Sequence, residues 1–351
     1  MNFLRGFSIH FVCTGLTFAI GLANQAVIFR GLGKEGTGAL TLIATFIMLA
    51  AMVSGEWLNR GNTYLTGKEA LGAHVFANSL IYCLALGLAL CGTIVVVTLT
   101  GTHGTLPGDW NASTVVSTGA IIVTVVTQKA VQAIALGQNR IGLYSLLPVL
   151  FIATYCAATI TAIHTFDAGL HGVLNAWLAA AAVSLVTTVA FTRRRHWRAL
   201  AWHGAVFRRA LAIGGRGAAS SILIFLLFRS DVFLVEHFLD IASVGIYRVA
   251  IIMAEMMQRV PNIAGTTLLP RVLALQASEG ERLSGKVARS MLFFSLVVGA
   301  LIVAAGAQVI AIIFGTGSET AYELLLWMLP GLIASGFGSI FNTELAARGY
   351  P

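Results

Sequence analysis

The chain has 351 residues, of which 57% are hydrophobic and only 10% are Asp, Glu, Lys or Arg, and its mean hydropathy is +0.85. A water-soluble domain of this length needs a charged surface that this composition cannot supply. The soluble classes are therefore excluded, and the net charge of +8 needs an explanation other than a nucleic-acid footprint.

Runs of about 20 apolar residues, the length that crosses a bilayer as a helix, recur from end to end. They predict helices over 8–29, 38–59, 74–99, 113–136, 141–164, 169–191, 217–239, 245–269, 288–314 and 321–346. The expected fold is an all-α polytopic membrane protein of about ten transmembrane helices. A β-barrel would show ~10-residue segments of alternating polarity, and the sequence has none. Arg5 ahead of the first run reads as a signal anchor, without Ala-x-Ala-like cleavage chemistry.

The connections fix the expected sidedness. With the N-terminus on the cytoplasmic side, sixteen of the 22 Lys and Arg residues, from Arg5 to Arg348, fall in inner segments. Only Arg30 and Lys34 fall outside. This is the positive-inside pattern, and it accounts for the net charge. The inner arginines also favour anionic lipid headgroups.

On the first helix Thr14, Thr17, Gly21 and Asn24 form a mild polar stripe. The turn that follows, Gly31-Leu-Gly-Lys-Glu-Gly36, fits G-x-G-x-x-G. A dinucleotide fingerprint needs a strand before it and a βαβ unit around it. Here apolar helices flank it, so the glycines read as a tight outer turn. The second helix carries Thr41, Thr45, Met52 and Asn59, with Glu56 near its inner end. The fourth carries Ser117, Thr124, Gln128 and Gln132, with Lys129 adjacent. These stripes fit either the lining of a hydrated cavity or hydrogen bonding between helices. Asn111-Ala-Ser113 matches a glycosylation acceptor and is read as chance. Cys13, Cys83, Cys91 and Cys156 all fall inside apolar runs, with neither disulfide nor metal spacing.

The longest inner connection runs from Arg193 to Arg209, where arginines alternate with Trp197, Leu200, Trp202, Val206 and Phe207. It fits a segment lying in the membrane interface, and equally an ordinary basic loop. It divides the chain into a six-helix lobe over 1–195, a linker over 196–216 and a C-terminal lobe over 217–351. The halves echo each other faintly, through Leu32 with Leu239 and Gly38 with Gly245. A six-plus-six arrangement would relate them by an axis along the membrane normal.

Charges at bilayer depth cost about 2.5–3.5 kcal/mol on insertion scales and mark function by default. Arg229, Asp231, Glu255 and Arg259 are placed so, with Glu236 nearer the outside. On the eighth predicted helix Arg248, Glu255, Arg259 and Asn262 are spaced by seven, four and three, which puts them on one face. Glu255 and Arg259 can pair at i,i+4. Pro261 removes a backbone bond there and is expected to kink the helix. A purely structural ion-pair cluster is the alternative reading of these charges.

FRGLGKEGTGALTL, RSDVFLVEHFLDIASVGIYRVA, PNIAGTTLLPRV and IIFGTGSETAYELLLWMLPGLIASGFGSIFNTELAARGYP together resemble the polysaccharide-transporter branch of the multidrug/oligosaccharidyl-lipid/polysaccharide exporter superfamily. That branch includes the bacterial O-antigen and lipid-linked oligosaccharide flippases. The resemblance implies two six-helix lobes around a central cavity, alternating between inward-open and outward-open states. It implies a substrate made of a polyprenyl pyrophosphate bearing sugars, moved across the bacterial cytoplasmic membrane. In the family the ARG-x-P-like ending is followed by further helices, so the second lobe, with four helices, is expected to be incomplete.

For such a substrate, Arg229, Arg248 and Arg259 offer charge-assisted bonds to pyrophosphate or acidic sugars. Asn262, Gln128, Gln132 and Asn24 offer polar surface for the sugars. Asp231 and Glu255 are the candidates for coupling to H⁺ or Na⁺. No nucleotide-binding motif, cofactor or metal cluster is expected, and no enzymatic role. Membrane lipids are the expected surroundings, and nucleic acid is not an expected partner. Three competitors stand against this reading: a cation-coupled multidrug exporter, which would want an acidic cavity, a membrane glycosyl polymerase or ligase, which would want a large outer domain, and a non-transporting membrane scaffold, which would not need charges at mid-depth.

Overall fold

The structure, a computed structural model, describes residues 3–69, 71–100, 112–196, 201–274 and 277–347. Asn111, the outer loop 101–111, residues 197–200 of the basic connection and the ending from Arg348 lie outside the described residues.

Among the described residues the chain is all helix: α1 (Phe3–Lys68), α2 (Gly72–Thr100), α3 (Ala112–Gly137), α4 (Ile141–His164), α5 (Gly169–His196), α6 (Gly204–Phe238), α7 (Ile241–Ala274), α8 (Ala277–Phe314) and α9 (Glu319–Ala347). Each contains a stretch long and apolar enough to cross a membrane. The protein is a multi-pass membrane protein. Large apolar side chains stand exposed along the helices, among them Leu88, Leu227, Phe293 and Ile312. In an apolar solvent such exposure carries no hydrophobic penalty.

α1 holds the first two predicted helices. They meet at Gly33, whose φ of 67° and ψ of −172° break the helical path. A side chain there would be strained, because that region is open essentially to glycine alone. Gly31 serves a different purpose: a Cβ there would come within 2.5 Å of Ile163 on α4. The G-x-G-x-x-G spacing thus builds a bend and a close helix crossing.

Other connections are equally short. α3 ends in a Schellman motif, with Asn139 at φ 57°, Arg140 N–H donating to the Ala135 carbonyl and Asn139 N–H to that of Leu136. Asn tolerates the left-handed conformation that this cap needs. Asp167 (φ 47°) and Gly169 (φ 55°) turn the chain between α4 and α5.

Several helices run past the apolar windows that predict them. The segment expected as a linker over 196–216 is largely helix: α5 continues to His196, and α6 begins at Gly204. Arg208, Arg209 and Arg216 end the apolar window, but they do not oppose helical hydrogen bonding. Ala210 on this extension is buried with Leu65, Phe76, Val131 and Ile134, which gives α6 a packing reason to start early.

By its contacts the chain divides into Met1–Val244 and Gly245–Pro351. In the first unit a core of Ile28, Ile43, Ile47, Ile121, Val126, Leu174 and Trp177 joins α1, α3 and α5. α6 packs along α1 in this unit, although the sequence reading groups residues 217–238 with the later helices. Their contact is tight. A Cβ on Gly214 would strike the Trp57 carbonyl, one on Gly61 the Ala210 carbonyl, and one on Gly217 the Arg60 guanidinium. In a membrane, where apolar surface gains nothing by leaving lipid, such small-residue contacts hold helices together. In the second unit Leu268, Val272, Ala288 and Ile340 form a core across α7, α8 and α9.

Candidate functional site

α7 presents its polar residues to one face, as the 3.6-residue period requires. Arg248 Nη1 lies 3.8 Å from Glu255 Oε1. The partners are seven residues apart, so the pair spans about two turns. Glu255 thus has a cation toward the start of the helix, and Arg259 stands at the i,i+4 position on the same face. Arg259 and Asn262 are exposed, one turn further on. Pro261 between them is buried. It packs where a Cβ on Gly336 of α9 would come within 3.3 Å of its ring. Gln258 Nε2 donates to the Leu332 carbonyl at 2.6 Å, tying α7 to α9 beside that contact.

In the first unit Arg229 and Asp231 are half-buried on α6. Asp231 Oδ1 accepts the Val232 N–H at 2.8 Å. The polar amides of α3 are occupied: Gln128 Nε2 donates to Ser184 Oγ on α5 at 2.8 Å, and Gln132 Nε2 donates to the Tyr144 carbonyl on α4 at 3.0 Å. Both therefore hold helices together in this state. Asn24 is fully buried, and neither of its amide atoms has a hydrogen-bond partner among the described residues. An unpaired buried amide is costly, typically about 1–3 kcal/mol on mutational scales. The structure thus brings Arg248, Glu255, Arg259 and Asn262 onto one helix of the second unit, and places Asn24, Gln128, Gln132, Arg229 and Asp231 on three helices of the first.

A further charged group was only half legible. Glu56 and Arg60 pair at 3.1 Å on the second arm of α1, and Arg60 Nη2 donates to Ser221 Oγ on α6. Lys129 on α3 lies within electrostatic reach of Glu56. The signal was present, since Glu56 and Lys129 interrupt apolar spans. Arg60 falls just outside the helix predicted over 38–59, because α1 runs nine residues beyond that end, to Lys68.

Residues 3–276 match the sequence profile of the family described as "Polysaccharide biosynthesis protein". The chain belongs to the polysaccharide biosynthesis protein family. No curated protein matches this family member in sequence. Its fold is that of the MOP-superfamily transporters. A structure described as the inward-facing conformation of a multidrug resistance MATE family transporter of that superfamily aligns with a TM-score of 0.69 at 14% identity, over 97% of this chain and 85% of the other. An outward-facing conformation of such a transporter aligns at 0.62 and 19% identity, over 99% and 82%. A MOP-superfamily transporter from Pyrococcus furiosus, described as having a binding pocket of reverse polarity that suggests a different function, aligns at 0.63 and 18% identity, again over 99% and 82%.

Proposed function

We propose that this protein moves a polyprenyl-pyrophosphate-linked oligosaccharide from the inner to the outer leaflet of a bacterial cytoplasmic membrane, for surface polysaccharide synthesis of the O-antigen or lipopolysaccharide kind. The observation that carries the reading is the family match over residues 3–276. The charge content supports it. Arg229, Arg248 and Arg259 suit an anionic pyrophosphate through charge-assisted bonds, whereas a cationic drug would want acidic groups.

On this reading the protein works by alternating access, the N-terminus is cytoplasmic, and the basic inner segments hold it in that sense. The same fold is described in inward-facing and outward-facing conformations in other transporters, which supports two such states here. Arg248, Arg259 and Asn262 bind the headgroup and its first sugar from α7. Asp231 and Glu255 take up H⁺ or Na⁺. Gln128 and Gln132 reach the sugars only by exchanging the interhelical bonds they now make, and Asn24 acts from within the first unit.

The test is complementation of a polysaccharide-export mutant by wild type, Arg259→Ala and the Glu255→Gln/Arg259→Gln double variant, with membrane levels measured. Wild type restores surface polysaccharide and the variants do not. Variants that accumulate normally and restore it as well as wild type would remove these charges from the mechanism. The second reading, a cation-coupled multidrug exporter, draws on the MATE transporters that share the fold. It wins if wild type exports cationic dyes and never restores polysaccharide.

A further inference from the structure

α6 is one helix over Gly204–Phe238, but its two parts are held in different ways. The first turns lie as a strap against the end of α1 and the start of α2. His203, just before the helix, is clasped by Asn78 through bonds of 2.8 and 3.0 Å, and its ring centroid lies 4.1 Å from that of His74. Phe207 meets Trp57 edge-on at 5.3 Å and Tyr82 at 5.8 Å. Arg209 Nη2 pairs with Glu69 Oε1 at 2.8 Å. Backbone then meets backbone, since a Cβ on Gly61 would strike the Ala210 carbonyl and one on Gly214 the Trp57 carbonyl. Such contacts have no side chain that can give way, so this part is fixed to α1 and α2.

Beyond Gly214 the hold changes. The apolar stretch able to cross a membrane starts at Gly217. At Gly217 and Ser221 the neighbour is the guanidinium of Arg60, the end of a long side chain. A side chain with that much rotamer freedom can follow a moving helix. Along 218–238 only Ala218 and Val232 are buried among the described residues. The change falls at Gly214-Gly215-Arg216-Gly217. Gly214 is accounted for by its close approach to Trp57. Gly215 is not, because a Cβ there would have nothing within 4 Å and its backbone is helical. Glycine weakens a helix relative to Ala. With no packing return at Gly215, what this residue contributes is backbone freedom.

We propose that residues 214–217 form a joint within α6: the strap over 204–213 stays with α1 and α2, and the span Gly217–Phe238 swings about Gly215 when the transporter changes state. The joint rests on the alternating-access part of the reading above and not on the substrate.

The experiment uses the full chain in lipid nanodiscs, with spin labels attached to a ketone-bearing unnatural residue so that the native cysteines stay in place. Three exposed sites serve: Leu146 on α4 as the reference, Ala205 on the strap and Leu227 on the span. The distances 146–205 and 146–227 are measured by double electron–electron resonance in acid and alkaline buffer, with and without Na⁺. Wild type is compared with Gly215→Ala and with Gly285→Ala, a position on α8 that also has open space for a Cβ. The 146–205 distance keeps one value in every buffer, and 146–227 takes two, separated by about 5 Å or more, the size of a one-turn shift. Gly215→Ala lowers the second population about fivefold, the ratio by which Ala and Gly differ in helix propensity, without lowering the melting temperature. Gly285→Ala leaves it unchanged. A single 146–227 distance in all buffers, a 146–205 distance that shifts with it, or equal effects of the two alanines overturns the joint. None of these results depends on the substrate, so the joint can fail while the flippase reading stands, and failed complementation leaves the distances as they are.

Discussion

Arg248 and Glu255 meet at 3.8 Å across two turns of α7, and each offsets part of the other's cost of lying inside an apolar helix. Removing one partner takes this offset from the other, whereas removing both removes the two charges together. The side chains keep 20% and 36% of their surface exposed. The cost therefore falls below the ~3–5 kcal/mol of a fully buried pair, at about 1–3 kcal/mol. Arg248→Gln and Glu255→Gln are each expected to lower the melting temperature in detergent more than the double variant does. A double-mutant cycle with no coupling would show the pair to be incidental.

The α1–α6 crossing makes a sharp steric prediction. Gly214→Ala places a methyl against the Trp57 carbonyl, whereas the neighbouring Gly215 has open space for one. Overpacking of this kind costs about 1–3 kcal/mol, and more when backbone must move. Gly214→Ala should reduce membrane accumulation and thermal stability, and Gly215→Ala should leave both near wild type. Equal behaviour of the two would mean the helices are not in contact there.

The start of α6 is pinned by a two-bond clasp. Asn78 Nδ2 donates to the His203 carbonyl at 3.0 Å, and the His203 N–H donates to Asn78 Oδ1 at 2.8 Å. Asn78→Ala leaves both backbone groups unpaired and should cost about 1–3 kcal/mol. Asn78→Asp keeps the acceptor and loses the donor, so its melting temperature should fall between those of wild type and Asn78→Ala. A variant Asn78→Ala as stable as wild type would remove the clasp from the account.

Acid should loosen the start of α7. The Ser243 N–H donates to Asp240 Oδ1 at 2.6 Å, which makes Asp240 an N-cap. That bond, with Lys34 as a lesser cause, holds the carboxyl below its ordinary value. A lowered folded-state value means the stabilisation is fully present above the ordinary Asp range, near 3.9, and fades as pH falls through the lower folded value. Protection of the Ser243 amide, its exchange rate compared with the intrinsic rate at the same pH, should therefore fall below about pH 4 in wild type. Asp240→Asn keeps a neutral cap and should lack that pH dependence. Identical pH profiles for the two would contradict the capping role.

The helices were legible because lipid imposes a simple rule: a span must be apolar for about 20 residues. Their ends were less so. α6 begins at Gly204 and α1 runs to Lys68 because helical hydrogen bonding tolerates arginines that the apolar window rejects. The mid-span charges were visible as exceptions to composition, but their partners were not. The spacing of Glu255 and Arg259 points to a pair at i,i+4, and side-chain reach along α7 adds one between Glu255 and Arg248 that the seven-residue spacing did not suggest. The stripes of Gln128 and Gln132 were ambiguous between cavity and interhelical bond until Ser184 and the Tyr144 carbonyl appeared opposite them. Nothing in the local sequence could show that Gly214 faces Trp57, since that depends on how two helices 157 positions apart cross.

The central claim, movement of a pyrophosphate-linked glycan between leaflets, is tested most directly in proteoliposomes. A fluorescent polyprenyl-pyrophosphate oligosaccharide is incorporated in both leaflets, and a membrane-impermeant quencher is added outside. Without protein, only the outer-leaflet share of about half should be quenched. With the full-length protein, an H⁺ or Na⁺ gradient should bring the protected remainder within reach of the quencher, and Arg259→Ala should slow this. Fluorescence that stays protected in the presence of folded protein, while a cationic dye crosses the same membrane, would contradict the account.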